Sequence, residues 1–352
     1  MILDKKYYFS LLFIFLILVL LFFFTNSTKI PSNYKNIITG STMGTTYSIT
    51  IIDSTINNAD VLFLEESIDS ILIDVNNFFS TYIDSSEISK VNNSTQIKLS
   101  PTFTNLYRKA IKYCKLSKGL YDITVSPLIY LWGFSDYNYS TFPGKSDIMQ
   151  TLKYVGYDKI TELKSKYKSG KTIQLEIKKD INTKIDLNSI AKGYAVDMIY
   201  DYLNSSKYNF ANYLIEIGGE LRSKNNLNKK WIIGIQHPEE NSIIYKINLS
   251  NYSLATSGTY NNYFEENDVK YSHIINPITG YPIKKNIVSA TVIAPKCLDA
   301  DALATLLMVM NWKDGLDLIN NLTDTECLII LERPGNILKE IYSDGLSNFI
   351  VD

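Results

Sequence analysis

Histidine is almost absent from this chain of 352 residues, which holds only His237 and His273. Two imidazoles exclude most His-rich metal centres, and they leave only two side chains whose ordinary pKa sits near neutrality. Cysteine is nearly as scarce. Cys114, Cys297 and Cys327 lie far apart with no CxxC or Cys/His spacing, which excludes a disulfide framework and a zinc site and leaves three buried thiols. Long runs of one charge are missing too: 35 basic residues stand against 36 acidic ones, for a formal charge of -1. That balance leaves no footprint for nucleic acid, while a small anionic ligand stays open. The nucleotide loops GxxxxGK[ST] and GxGxxG do not occur in standard form; "GSTMGTT" (40–46) has two glycines but no phosphate-binding lysine. There is no GxSxG elbow, no HExxH and no internal repeat.

What is present begins with an apolar run. Lys5 and Lys6 precede Tyr7 to Phe24, which is broken only by Ser10 and is long enough to cross a membrane as a helix with its basic flank inside. No small-x-small site follows it, and no cysteine before Cys114 is available to carry a lipid, so an uncleaved signal anchor is preferred to a cleaved signal peptide. Residues 25–34 read as a polar tether. The expected organisation is an anchor and tether over 1–35 and one catalytic domain over 36–352, held at the cell membrane on the extracytoplasmic side. With 45% hydrophobic residues, the chain can bury a large core.

In that domain "GTTYSITII", from Gly44, reads as a strand, and Val61, Leu64, Ile68, Ile71, Leu72, Val75 and Phe79 recur at helical spacing, predicting a helix that ends near "STY" (80–82). A second helix is predicted from Thr102 to Lys118, with Gly119 as its C′ residue. A third covers "DLNSIAKGYAVDMIYDYL" (186–203), with Ile190, Ala195, Met198 and Ile199 as its apolar face. "YLIEIGG", "WIIGIQ", "IIYKINLS" and "IVSATVIA" are short β-prone runs, and "DADALATLLMVM" (299–310) is a strongly apolar helix. Helices and strands mix without regular βαβ alternation. The expected fold class is therefore α+β: a mixed, largely antiparallel sheet with packed helices, behind one N-terminal membrane helix.

Several polar residues sit inside these apolar elements. Asp301 and Thr305 share one side of their helix; a carboxylate and a hydroxyl are hard oxygen ligands that can hold Mg²⁺ when phosphates and carbonyls supply the rest. Equally, Asp299 or Asp301 can cap the helix while Thr305 bonds back to it. Asp186, Lys192 and Asp197 form either an exposed face or a convergent charged site. Gly193 in mid-helix costs about 1 kcal/mol relative to alanine, which points to close packing or close ligand approach. The glycines of "IEIGGE" (215–220) mark a strand end that is either a plain turn or a place where backbone nears a ligand. His237, before a proline, reads as structural. His273, in "YSHIINPITGYP" (271–282), is either a packed core residue or a proton-transfer group on a stiff loop.

Read in order, "GSTMGTTYSI", "STYIDSSEISKVN", "LYDITVSPLIYLWGF", "KIDLNSIAKGYAVD", "YLIEIGGELRSK", "WIIGIQHP", "ATSGTY", "SHIINPITGYP" and "VSATVIAPKCLDADALATLL" resemble the ApbE-like family of FAD:protein FMN transferases. The resemblance spans roughly residues 36 to 310. It implies FAD and Mg²⁺ bound outside the cytoplasm, transfer of FMN to a threonine hydroxyl of a partner protein as a phosphoester, and release of AMP. By position it implies Mg²⁺ ligation by Asp301 and Thr305 with a backbone carbonyl at Ser189. It further implies an FAD site lined by Met43, Tyr82, Asp122, Asp186, Lys192 and Ile275, and His273 as the base. Acceptors in the family carry Asp-x-x-Ser/Thr-Gly-Ala-Thr and belong to membrane redox complexes or extracellular flavoproteins; "SLAT" (253–256) lacks the Asp and Gly, so the acceptor is expected to be another chain. Two rival readings remain: an Mg²⁺-dependent FAD pyrophosphatase giving FMN and AMP, which would use the same residues, and a flavin-binding surface protein without turnover, which would not need His273.

Overall fold

The computed structural model describes residues 35–351 except 135–141, 169–170, 206–207, 227–229, 239, 241, 260–262, 267–268, 284–285 and 336. The apolar run from Tyr7 to Phe24 and the tether lie outside the described residues. Among those described, no helix is long and apolar enough to cross a membrane.

The described residues open with a hairpin, β1 (Lys35–Thr42) and β2 (Thr45–Ile52). Its two-residue turn, Met43-Gly44, has φ of 51° and 73°, the mirror-image geometry that matches the right-handed twist of the strands. Helix α1 (Asn58–Phe79) follows; Asn57 caps it and receives the amides of Ala59 and Asp60, while Asp60 returns a bond to the Asn57 amide. Its buried side chains, Leu64, Ile68, Leu72, Val75 and Phe79, are those expected from the spacing. Next come α2 (Glu87–Asn92), β3 (Gln96–Leu99) and α3 (Pro101–Leu116). The end of α3 corrects one expectation. Lys118, at φ 53°, takes the C′ position expected of Gly119, and its amide bonds the Lys115 carbonyl while that of Gly119 reaches back to Cys114. The glycine thus stands one residue later, completing a Schellman motif.

Short helices α4 (Ser126–Leu131) and α5 (Lys145–Thr151) precede β4 (Thr161–Lys168) and β5 (Lys171–Lys178), which pair with β3 in the order β3-β5-β4. Helix α6 (Asn188–Leu203) leads to β6 (Asn212–Ile217), β7 (Glu220–Asn225), β8 (Ile232–Gln236), β9 (Ile243–Asn248) and β10 (Ser253–Gly258). A small hairpin, β11 (Tyr263–Glu266) and β12 (Val269–Ser272), precedes β13 (Ile287–Ala294). Helices α7 (Cys297–Val309) and α8 (Trp312–Asn320) and strands β14 (Glu326–Arg333), β15 (Ile337–Tyr342) and β16 (Ile350–Val351) complete the chain.

Eight strands form the central sheet in the order β1-β2-β6-β7-β10-β13-β14-β15, with every neighbouring pair antiparallel. One face carries α1, α3, α6 and α7 over the main core. The other is covered by the β16-β9-β8 sheet, through Ile235, Ile247, Leu254, Ile293, Leu328 and Ile330. Burial on both faces explains why "IVSATVIA" reads as a nearly continuous apolar run rather than an alternating one. The expected α+β class with a large antiparallel sheet is what the molecule has. One helix face differs from expectation: Met198 is exposed, and α6 buries Tyr194, Val196 and Asp197 as well as Ile190, Ala195 and Ile199.

Candidate active site

Three connections meet at one end of the central sheet. The Met43-Gly44 turn lies beside the Gly218-Gly219 turn that joins β6 to β7, because the Gly218 amide bonds the Thr46 carbonyl. At Gly218 a Cβ would stand 2.7 Å from the Thr45 methyl, and φ of 59° and 100° at the two glycines suit residues without side chains. The glycines of "IEIGGE" are thus a tight turn with a close neighbour. β7 starts there with Glu220, and the antiparallel partner β10 ends there with Ser257 and Gly258. The chain re-enters the sheet at the start of β13 after the 272–283 loop, at the same end.

Against this end pack α6 and α7. A Cβ on Gly193 would fall 2.4 Å from the Cys297 carbonyl oxygen, so the glycine is required by the contact between two helix backbones. That closeness lets the Gly193 N–H donate to Asp301 Oδ2 at 2.9 Å. In a regular α-helix the same N–H serves the carbonyl four residues earlier, here Ser189, so that carbonyl competes with a carboxylate for its hydrogen. Asp301 does not cap α7, and neither does Asp299, which accepts from the Tyr113 hydroxyl at 2.5 Å. The cap comes from α6: Asp197 accepts the amides of Cys297 (3.0 Å) and Leu298 (3.1 Å) and pairs with Arg222 at 2.5 Å. The Arg222 guanidinium in turn lies 3.5 Å from the centre of the Tyr200 ring. Thr305 is half-buried, and its hydroxyl is 3.3 Å from that of Ser257 on β10.

Lys192 turns to Glu220, with Nζ 2.6 Å from Oε2. Burial raises the Glu220 pKa to about 8, Asp301 adds repulsion, and the Lys192 ammonium only partly offsets both. Burial also raises Asp301, opposed by Lys192 and by the Gly193 N–H. For Lys192 burial alone would lower the pKa, but Glu220 and Asp301 outweigh it and the net direction is up. The described cluster gathers three acidic side chains, Asp197, Glu220 and Asp301, around two basic ones, Lys192 and Arg222, and burial raises the pKa of all three acids.

No described hydrogen bond joins the remaining candidates to this cluster. Asp186 accepts from the amide and side chain of Asn188, its own amide bonds the Ile123 carbonyl, and burial raises its pKa. Ser189 donates its hydroxyl to that of Tyr121 at 2.8 Å. Asp122 holds Thr124 and the Tyr157 amide (2.7 Å), and lines a cleft of about 360 Å³ with Lys118, Tyr157, Pro277 and Ile278. Ile275 is 4% exposed in a separate cluster with Leu128, Trp132 and Ile148. The turn after it is rigid: Asn276 Oδ1 accepts the amides of Ile278 and Thr279, and the Trp132 indole donates to the Gly280 carbonyl at 2.8 Å. His273 is half-buried between β12 and this turn, and Tyr82 is 77% exposed just after the end of α1. The described hydrogen bonds join neither Met43 nor Ile275 to Asp301. His237 accepts the Glu240 amide on Nδ1, a structural role at a turn.

Sequence reasoning missed Glu220, Arg222 and Ser257 as members of the site. The available signal was weak: a carboxylate directly after a paired-glycine turn, at the start of a strand that ends up buried. Among the described residues no group of three or more His, Cys, Asp or Glu side chains is placed to hold a metal ion. Any cation here would rest on Asp301 and Thr305, with carbonyl and ligand oxygens completing its shell.

Residues 43–329 match the ApbE family. The chain is 36% identical over 312 residues to the FAD:protein FMN transferase of Haemophilus influenzae, covering 86% of this chain and 88% of that protein. It is 38% identical over 288 residues to the enzyme of the same name from Vibrio cholerae, covering 79% and 82%. Among solved structures, the flavin transferase ApbE from Vibrio cholerae superposes with a TM-score of 0.77 at 33% identity, over 90% of this chain and 99% of that one. The ApbE protein from Thermotoga maritima gives the same TM-score at 28% identity, over 90% and 100%.

Proposed function

The chain belongs to the ApbE family, and from that premise we propose that it is an FAD:protein FMN transferase that moves FMN from FAD to a threonine hydroxyl of a partner protein. The observation that carries the reading is the buried Asp301 carboxylate, fixed by the Gly193 N–H one helical turn from the Thr305 hydroxyl. The donor set suits Mg²⁺: a hard carboxylate oxygen, a hydroxyl, and the Ser189 carbonyl, which in a regular helix would accept the Gly193 N–H that here donates to Asp301. When bound, the ion would neutralise charge on the pyrophosphate and on the departing AMP.

The residues of the chain divide the remaining work. Lys192 brings a fixed positive charge beside Asp301, suited to an anionic phosphate. Asp122, Asp186, Met43, Tyr82 and Ile275 provide polar and apolar walls for the nucleotide and ring. His273, three residues before the 276–282 turn, takes the proton from the acceptor threonine as its oxygen bonds to the phosphorus of FMN. The bond from that phosphorus to the AMP phosphate oxygen breaks, and AMP leaves with the electron pair.

The acceptor is expected to be a separate chain bearing Asp-x-x-Ser/Thr-Gly-Ala-Thr, in a membrane redox complex or an extracellular flavoprotein. The apolar run from Tyr7 to Phe24 supports anchoring at the cell membrane with the catalytic domain outside the cytoplasm. The test is intact-mass analysis of an acceptor domain incubated with residues 30–352, FAD and Mg²⁺. The proposal expects an added FMN mass that requires Mg²⁺ and falls by about a hundredfold or more in rate in His273→Ala. Free FMN and AMP with an unmodified acceptor would instead identify a pyrophosphatase, and unchanged FAD a flavin-binding protein.

A further inference from the structure

Lys192 and Asp301 are brought together by the backbone. The ammonium belongs to the residue next to Gly193, whose N–H holds Asp301 Oδ2. A lysine beside a buried carboxylate gains most by pairing with it, because each group otherwise bears its desolvation uncompensated. Such a pair would occupy the carboxylate oxygen that a divalent cation needs. In the structure the ammonium goes elsewhere, to Glu220 at 2.6 Å. Glu220 is 3% exposed and reaches the site from the opposite direction, on the strand that starts after the Gly218-Gly219 turn pinned against Thr45. Asp301 keeps a single described side-chain bond, from the Gly193 N–H.

We infer that Glu220 is a positioning residue that draws the Lys192 ammonium off Asp301 and so keeps one Asp301 oxygen open for the divalent cation. The inference rests on the reading of Asp301 and Thr305 as the cation's ligands, and it adds a function for a carboxylate that touches neither the cation nor the nucleotide. Glu220 selects which of two adjacent acids the lysine neutralises. Its side chain therefore matters through where it places a charge as well as through the charge itself.

Calorimetric titration of Mg²⁺ into the ligand-free protein tests this without reference to turnover. Glu220→Gln is expected to weaken Mg²⁺ binding by about tenfold or more, because the released ammonium moves onto Asp301. Adding Lys192→Met to that variant removes the competitor and is expected to restore affinity to within about threefold of wild type. A purely structural role for Glu220 would give no such rescue. Glu220→Asp keeps the charge but withdraws it by one methylene, and is expected to bind about threefold more weakly than wild type; unchanged affinity there would overturn the positional claim. Wild-type affinity in Glu220→Gln, or a double variant as weak as the single one, would overturn the inference while the cation site stands, provided Asp301→Asn abolishes binding. Mg²⁺ binding indifferent to Asp301→Asn, or undetectable in wild type, would overturn the site beneath it.

Discussion

Helices α1 and α7 lie on the same face of the same sheet and are built on opposite plans. α1 is amphipathic, buries one stripe, and carries its own cap in Asn57 with Asp60. α7 is apolar on all sides, has no side-chain cap of its own, and takes its N-terminal acceptor from Asp197 of α6. A helix capped locally satisfies its first amides without a neighbour. A helix capped by another helix is locked in register with it, and that register sets Asp301 against the Gly193 N–H. The proposed cation ligands, Asp301 and Thr305, sit on the second kind of helix, where rigidity is supplied by neighbours.

The strongest way to break this comparison is to remove the polar group that the register serves. Asp301→Asn is expected to lower the rate of FMN transfer by about a hundredfold or more while leaving the fold intact, since burial already raises the carboxyl pKa and the amide preserves shape. Transfer rates by intact mass, beside circular dichroism, check it. Next comes the contact itself. Gly193→Ala forces a Cβ to 2.4 Å from the Cys297 carbonyl and should cost about 3 kcal/mol in denaturant unfolding.

Capping can be compared directly. Asp197→Ala removes the acceptor for two amides and leaves Arg222 unpaired, for an expected loss of about 3 kcal/mol. Asn57→Ala at the start of α1 should cost about 1 kcal/mol. Equal losses would erase the distinction between the two plans.

The smallest expected effect extends the comparison to buried cations. Lys192 has Glu220, and its pKa goes up; Lys179 has, among the described residues, only the Asn92 and Asp180 carbonyls at 3.4 Å, and burial with repulsion from Lys184 lowers it to about 8. Between about 8 and the ordinary 10.5 the unfolded chain holds more protons than the folded one, so stability rises with pH across that window. Lys179→Met should therefore stabilise by about 1 kcal/mol at pH 7, after discounting for solvent screening, with the gain shrinking above pH 8. Melting curves across that range check the sign.

How much of this could be read from the chain follows the same division. The span and buried stripe of α1 were visible in its spacing, and the α+β class in the order of the runs. Met198 and Gly119 were misassigned because a helix buried on several sides has no single stripe, and because Lys118 accepts a left-handed backbone that composition assigns to glycine. Asp301 and Thr305 were visible as polar residues in an apolar helix. Of their alternatives, the cap is excluded only by the tertiary structure, in which Asp197 accepts the amides at the start of α7.

By itself the sequence determined the local elements, since periodicity and capping act over a few residues. It also supplied the ordered segments that mark the family. Only the tertiary structure decided which acid Lys192 pairs with, why Gly193 is a glycine, and that Glu220, Arg222 and Ser257 meet Lys192, Asp197 and Thr305. Those choices depend on the approach of strands and helices far apart in the chain, and the energies involved, desolvation and charge pairing, exist only once that approach has excluded water.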